Sequence, residues 1–391
     1  MYNMEKVLES DRTRIAVIAG ARSTEHEVSL VSAYNIAKAI NRDKYEVFIV
    51  GISKSGEWRQ YSEDDFVLNP DSVGTVKLSD NPISGRLAVT QCSRKFYDID
   101  NNRVAFECDV VFPAVLGNYA EDGTMQGLLR MMDVPFATPD VLGSAVGMDK
   151  DVSYRLMRDA GIDIADFVVV RASDDIEIPL FSELKSRFDT ETMFVKPSNA
   201  GSSVGVTKVT SQEELERAIE HAFHYDVKVI IQAGIIGREL EIAVIGNIGS
   251  QKASIAGEIS QVNESDFYNY GNKYINSDKT SKLEIPAQLP EDILNKIRAT
   301  AIKVCEVLEC EGFSRVDFFL TKENKIVVNE INTMPGFTYI SMFPKLWVAS
   351  GLSYPELVDK ILDYAMDRYI YRVEPMILDA ADILENIKRT D

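Results

Sequence analysis

The stretch RVDFFLTKENKIVVNEINTMPG, Arg315 to Gly336, decides how the chain is read. Two apolar runs, VDFFL and KIVV, flank a polar break at Thr321–Lys325, which spells a β-hairpin. Residues two apart on a strand share a face, so Arg315, Asp317 and Phe319 look one way, and Val328, Glu330 and Asn332 share a face of the other arm. A turn centred on Glu323 and Asn324 sets Asp317 opposite Glu330 and Arg315 opposite Asn332. Directly opposed side chains have Cβ atoms only ~5 Å apart, and like charges there weaken the sheet. A positive group is therefore expected between them. Mg²⁺ prefers oxygen ligands and is held by one or two carboxylates plus substrate phosphates, which suits Asp317, Glu330 and Asn332. The plain alternative is that the carboxylates flank Arg315 or a lysine.

Outward from the hairpin the pattern is α/β. Arg14–Gly20 (RIAVIAG), Tyr45–Ile52 (YEVFIVGI) and Asp109–Val115 (DVVFPAV) read as buried strands, with helices at Val28–Ile40 and Gly123–Met132, giving a parallel βαβ-type sheet. Residues 53–105 read as an irregular insertion. Beyond Ala137–Asp140 come a helix from Lys150, a hairpin around Ser198–Ser203, a helix Gln212–Phe223, the strand Lys228–Gln232, further strands, a polar loop Asn263–Ser281, a helix Glu291–Leu308 and a charged helical tail from Tyr354.

The chain has 391 residues, 45% hydrophobic and 26% charged, enough for two or three domains with sizeable cores. Its net charge of −19 argues against nucleic acid as a partner, because phosphate neutralisation needs a basic surface. No apolar run reaches the ~18 residues of a membrane span, and the polar N-terminus does not read as a secretory signal. Cys92, Cys108, Cys305 and Cys310 form no CxxC pair and read as reduced thiols of a cytoplasmic protein. His221 and His224 read as a solvated helix face.

Two further stretches can carry chemistry. Lys196–Gly205 (KPSNAGSSVG) exposes backbone N–H groups and hydroxyls, which suits phosphate, or is an ordinary flexible hairpin. It is not the GxxxxGK[ST] loop. Lys196 before it and Lys150 at a helix start offer positive charge in an acidic chain. Gly20–Ser29 (GARSTEHEVS) is a strand–turn–helix without GxGxxG, so a dinucleotide site is not supported. Glu25 and Glu27 read there as helix-dipole partners or as captors of an ammonium group.

GARSTEHEVS, EDGTMQG, MDK, VKPSNAGSSVG, NKY, SRVDFF and NEINTMPGFT occur in the order found in D-alanine–D-alanine ligases, and from about Arg14 to about Tyr364 the chain resembles that family of the ATP-grasp superfamily. The resemblance implies an N-terminal parallel-sheet domain (1–139, substrate-binding), then a two-lobed α+β ATP-grasp domain. Its central lobe (140–233) would carry the phosphate loop. Its C-terminal lobe (234–391) would carry the metal site, the lid and the helical tail. It implies ATP and two Mg²⁺, with Mn²⁺ possible, held by Asp317, Glu330 and Asn332. Lys150, Lys196, Ser202 and Ser203 would meet the phosphates. Gln232, Ala233 and Ile235 would meet adenine, Glu239 the ribose and Lys273 the transferred phosphate. Glu25 would hold the first ammonium, with Ser202 and Tyr274 bonded to it. Arg315 and the Gly336 N–H would face the reacting carbonyl, and Ser341 the second carboxylate. The polar loop Asn263–Ser281 would be a lid.

The implied reaction joins two D-alanines through a D-alanyl phosphate, for peptidoglycan synthesis, in a homodimer that meets neither nucleic acid nor membrane. Tyr274 favours the dipeptide over a D-lactate ester. D-lactate or D-serine as second substrate, and a non-catalytic ATP-binding regulator, are the alternatives. Three positions depart from the family pattern: Leu116 stands where relatives have a histidine, Ala120 where they have a glycine, and Gln232 where most have Glu.

Overall fold

The structure, a computed structural model, describes residues 12–173, 176–261 and 281–370. The lid expected at Asn263–Ser281, except its last residue, lies outside the described residues, as do Lys273, Tyr274 and the tail beyond 370.

The first sheet runs in the order β3-β2-β1-β9, from β1 (Thr13–Gly20), β2 (Tyr45–Ile52), β3 (Trp58–Tyr61) and β9 (Val110–Pro113). β2, β1 and β9 are parallel, as expected, and α1 (His26–Ala39) packs on β1. Parallel strands buried on both faces need continuous apolar runs, and Ile15–Ala19 are all fully buried. The segment 53–105 is more regular than the sequence suggests. It adds β3 as an antiparallel edge. It also forms two small antiparallel sheets, β4 (Val67–Leu68) with β5 (Lys77–Leu78), and β6 (Leu87–Val89), β7 (Lys95–Asp98) and β8 (Arg103–Glu107). These strands are two to five residues long, too short for an alternation pattern to register.

The second sheet, order β10-β13-β11-β12, joins β10 (Phe167–Arg171), β11 (Met193–Pro197), β12 (Thr207–Val209) and β13 (Lys228–Ala233), all antiparallel. Val195, Val229 and Ile231 on one face pack with Leu184 of α5 (Phe181–Phe188) and Leu215 and Ile219 of α6 (Gln212–Ala222). By alternation the other face carries Lys196, Ile230 and Gln232.

The third sheet, order β16-β15-β14-β17-β18, joins β14 (Arg238–Gly246), β15 (Lys252–Gln261), β16 (Ser281–Glu284), β17 (Gly312–Leu320) and β18 (Ile326–Asn332). Leu240, Ile242, Val316 and Phe318 cover α7 (Glu291–Val307) through Ile297, Ala301 and Val304. The opposite face is apolar at one end, where Ala243, Ile245 and Phe313 join the core of the first sheet, and charged at its centre. Three helices bridge the units: α3 (Val141–Met148), α4 (Lys150–Asp159) and the C-terminal α9 (Tyr354–Ile370), whose Leu357, Val358, Ile361 and Leu362 are fully buried in the core of the first sheet.

Candidate active site

The β17–β18 hairpin has the expected register where it matters: Arg315 lies opposite Asn332 and Asp317 opposite Glu330. Toward the turn the pairing slips, with Phe318 opposite Val328, so Asn329 is an extra residue, a β-bulge. The bulge corrects one expectation. Val328 does not share a face with Glu330 and Asn332; it is fully buried against the α7 core. One inserted residue reverses the parity of the strand, so apolar Val328 and acidic Glu330 each reach the environment that suits them.

On the charged face Arg315 grips Asp317 through two bonds, Nε to Oδ1 at 2.7 Å and Nη2 to Oδ2 at 2.8 Å, and its Nε lies 3.0 Å from Glu241 Oε2. Asn332 Nδ2 donates to Asp317 Oδ2 at 3.1 Å, and Lys150 Nζ lies 3.4 Å from Glu330. The positive groups facing the opposed carboxylates are thus a guanidinium and an ammonium, as the plain alternative has it. The oxygen-rich donor set also fits a hard divalent cation. Among the described residues no three Asp, Glu, His or Cys side chains are placed to hold a metal ion by themselves, so phosphate oxygens would have to complete its coordination.

The phosphate-loop candidate is fastened at its base. Lys228 pairs with Asp149 and lies 3.4 Å from Asp151, and Ser198 Oγ donates to Asp149 at 2.8 Å. Burial pushes the Asp149 carboxyl up, but the Lys228 and Ser198 hydrogen bonds outweigh it and hold it below the ordinary value. Lys150 N–H donates to the Ser198 carbonyl (3.0 Å) and its ammonium to the Ala200 carbonyl (2.7 Å), so helix start and loop are one unit. Ser202 and Ser203 both take left-handed backbone conformations, φ 51° and 59°, which turns successive N–H groups. Lys196 is buried; burial lowers its pKa and Glu330 acts the other way.

Ser202 Oγ donates to Glu25, a contact spanning 177 positions. Glu25 is itself buried, at the turn before α1, where its N–H meets Ser23 Oγ at 3.1 Å. Gly117, at φ +82°, leaves room for it: a Cβ there would lie 3.1 Å from Glu25 Oε2. Glu121 accepts from the Gly117 N–H at 3.0 Å. Some of its surface stays exposed, but the carboxyl end is densely surrounded, and burial, then Glu25, push its pKa well above 4.5; Lys150 and Glu330 are also close enough to act on it. On the other side Gly336 leaves space for Ser341, whose Oγ would sit 2.9 Å from a Cβ there and accepts from the Thr338 N–H at 3.0 Å. Gln232, Ala233, Ile235 and Glu239 line the passage from β13 to β14. Among the described residues nothing hydrogen-bonds the buried Gln232 Nε2, whereas the Ala233 N–H is taken by the Asp166 carbonyl at 2.8 Å.

A family model described as D-ala D-ala ligase N-terminus matches residues 14–139, and one described as D-ala D-ala ligase C-terminus matches residues 156–363. The chain belongs to the D-alanine–D-alanine ligase family. It is similar to D-alanine–D-alanine ligase A of Escherichia coli K12, with 45% identity over 359 residues, 92% of this chain and 97% of that protein. Against the D-alanine–D-alanine ligase of Proteus mirabilis the identity is 43% over 359 residues, 92% and 96% of the two chains. Among solved structures, the D-alanine–D-alanine ligase from Coxiella burnetii is 31% identical with a TM-score of 0.75, covering 97% of this chain and all of that one. The VanG D-Ala:D-Ser ligase from Enterococcus faecalis is 34% identical with a TM-score of 0.75, covering 90% and 99%. Membership implies an ATP-dependent ligase that works with a divalent metal.

The structure links Glu25, Lys150, Lys196, Ser202, Arg315, Asp317, Glu330 and Asn332 into one cluster through side-chain contacts and the loop, and sets Gly336 and Ser341 against each other beside α1. Lys273 and Tyr274 lie outside the described residues. Leu116 is buried among Phe112, Phe313, Met334 and Phe337. Four residues of the site escape a reading of the sequence. Glu241 carried a signal, being two residues from Glu239 on the same strand face. Asp149, Asp151 and Lys228 carried none, because their partners come from other elements.

Proposed function

We propose that this chain joins two D-alanines to D-alanyl-D-alanine at the expense of ATP, for peptidoglycan synthesis. The observation that carries the reading is the Ser202–Glu25 contact, which ties the phosphate loop of the central sheet to a buried acid of the first sheet. Nucleotide and amino acid would meet where these two units close.

Two Mg²⁺, with Mn²⁺ accepted instead, would be held by Asp317, Glu330 and Asn332 and would neutralise the phosphate charge. Lys150 and Lys196 hold ammonium groups toward the same phosphates, with Ser202 and Ser203 offering loop N–H groups. Gln232, Ala233 and Ile235 would meet adenine, Glu239 the ribose, and Lys273 the moving phosphate. Glu25, bonded to Ser202, would fix the ammonium of the first D-alanine, and Tyr274 would be its other hydrogen-bonding partner. Its carboxylate oxygen attacks the γ-phosphorus and ADP leaves, giving D-alanyl phosphate. Ser341 would hold the second D-alanine by its carboxylate. Its amine, after losing a proton, attacks the carbonyl carbon, and the C–O bond to phosphate breaks. Arg315 and the Gly336 N–H would receive the charge that builds on the carbonyl oxygen. A glycine lets backbone come that close.

The proposed division is a substrate domain at 1–139, a central lobe at 140–233 and a C-terminal lobe at 234–391. By family analogy the enzyme works as a cytoplasmic homodimer on small substrates, without nucleic acid or membrane. Among the described residues no helix is long and apolar enough to cross a membrane. D-serine as second substrate is the second reading, favoured by the likeness to the D-Ala:D-Ser ligase. Phosphate release should require ATP, Mg²⁺ and D-alanine together, and products formed with D-serine and D-lactate competing should be D-alanyl-D-alanine. Release independent of D-alanine refutes the ligase reading; a mixed dipeptide as main product favours the second.

A further inference from the structure

Helix α4 touches the bulged strand at consecutive residues. Lys150 and Tyr154 lie four apart and so share a helix face. Lys150 meets the Glu330 carboxylate at 3.4 Å, and the Tyr154 hydroxyl donates to the Asn329 carbonyl at 2.7 Å. The loop after the helix adds a third tie, from the Val328 N–H to the Asp163 carbonyl at 2.9 Å. A bulged residue falls out of the ladder, and its carbonyl needs a partner from elsewhere. Tyr154 supplies it. Its side chain is fully buried, set edge-on to Phe167 at 5.3 Å between ring centroids. The same hydroxyl receives the Lys196 ammonium at 3.3 Å.

We propose that Tyr154 is a positioning residue: its hydroxyl holds the bulge that keeps Glu330 on the face where a divalent cation would bind, and sets Lys196 in register with it. This rests on the ligase reading given above. The hydroxyl touches neither reacting atom, so it acts through Glu330 and Lys196. Without it, Asn329 can rejoin the ladder or lose its carbonyl partner, and either change re-aims Glu330. The role concerns how nucleotide and metal depend on each other, not how tightly D-alanine binds.

The test is calorimetric binding of a non-hydrolysable ATP analogue to the full chain, with and without Mg²⁺, in wild type, Tyr154→Phe and Phe167→Leu. Tyr154→Phe keeps the ring and removes one hydroxyl. Losing a hydrogen bond to a buried carbonyl corresponds to a loss of about five- to twentyfold, expected in the Mg²⁺-dependent gain in affinity. Metal-free affinity should fall less than the Mg²⁺-bound affinity, since Lys196 alone is affected there, and the KM for D-alanine should change less than about twofold on the same grounds. Phe167→Leu loosens the ring's packing but leaves the hydroxyl, and should keep the Mg²⁺ gain. An unchanged Mg²⁺ gain in Tyr154→Phe overturns the proposal, and so does an equal loss in Phe167→Leu, which would assign the effect to packing. Wild type without any Mg²⁺-linked nucleotide binding would instead refute the ligase reading.

Discussion

Glu121 and Leu116 show how single side chains set the character of the substrate side. Burial, then the charge of Glu25, hold the Glu121 carboxyl well above its ordinary 4.5. Over the window from 4.5 up to that raised value, the folded chain keeps a proton that the unfolded chain has lost. The stability this group contributes is therefore full below 4.5 and fades as pH rises through the folded value. Glu121→Gln keeps an acceptor for the Gly117 N–H and removes the titration. Its melting temperature relative to wild type should climb as pH rises from 4.5; a pH-independent difference would refute the assignment. Leu116→His restores the family's usual residue but places a polar ring in an apolar nest around a void of about 10 Å³. Denaturant titration should show a loss of roughly 1–3 kcal/mol. A stable variant would mean that the ring finds its way to the cleft. Leu116 was legible as a departure, but its fate was not, since Phe313 and Met334 lie some two hundred positions away.

At the scale of elements, the opposed carboxylates of the hairpin were readable because alternation alone fixes which residues face each other, and β17 and β18 obey it near Asp317. The bulge was not readable from the same rule; two adjacent buried valines, Val327 and Val328, break the alternation and are its trace. Deleting Asn329 forces a choice between Val328 in the cleft and Glu330 in the core. Burying an unpaired charge costs about 3–5 kcal/mol, so the deletion should lose that stability in denaturant and bind no Mg²⁺-nucleotide by calorimetry. Asn329→Ala keeps the backbone insertion and should behave like wild type in both. The phosphate loop was legible as a glycine- and serine-rich break. Its anchorage by Asp149, Asp151 and Lys228 was not, because an ion-pair network between a helix cap and a distant strand leaves no local pattern.

Across the whole molecule the three sheets do not each own a separate core. The first sheet shares its interior with Phe313, Phe337, Phe343 and the last described helix. Residues 12–353 expressed without α9 should fail to fold cooperatively, because Leu357, Val358, Ile361 and Leu362 fill that interior; a sharp two-state melt by circular dichroism would contradict this. Composition foresaw several domains but could not show that residues 354–370 complete the core of the first sheet. The bond from Ser202 to Glu25 has a consequence of the same reach. Two cargoes that lean on one shared latch cannot load independently, and thermodynamics makes their influence mutual. Whatever factor an amino acid's arrival imposes on nucleotide affinity, the nucleotide must return in equal measure. Titrations run in both orders should therefore close the cycle with one common factor different from unity.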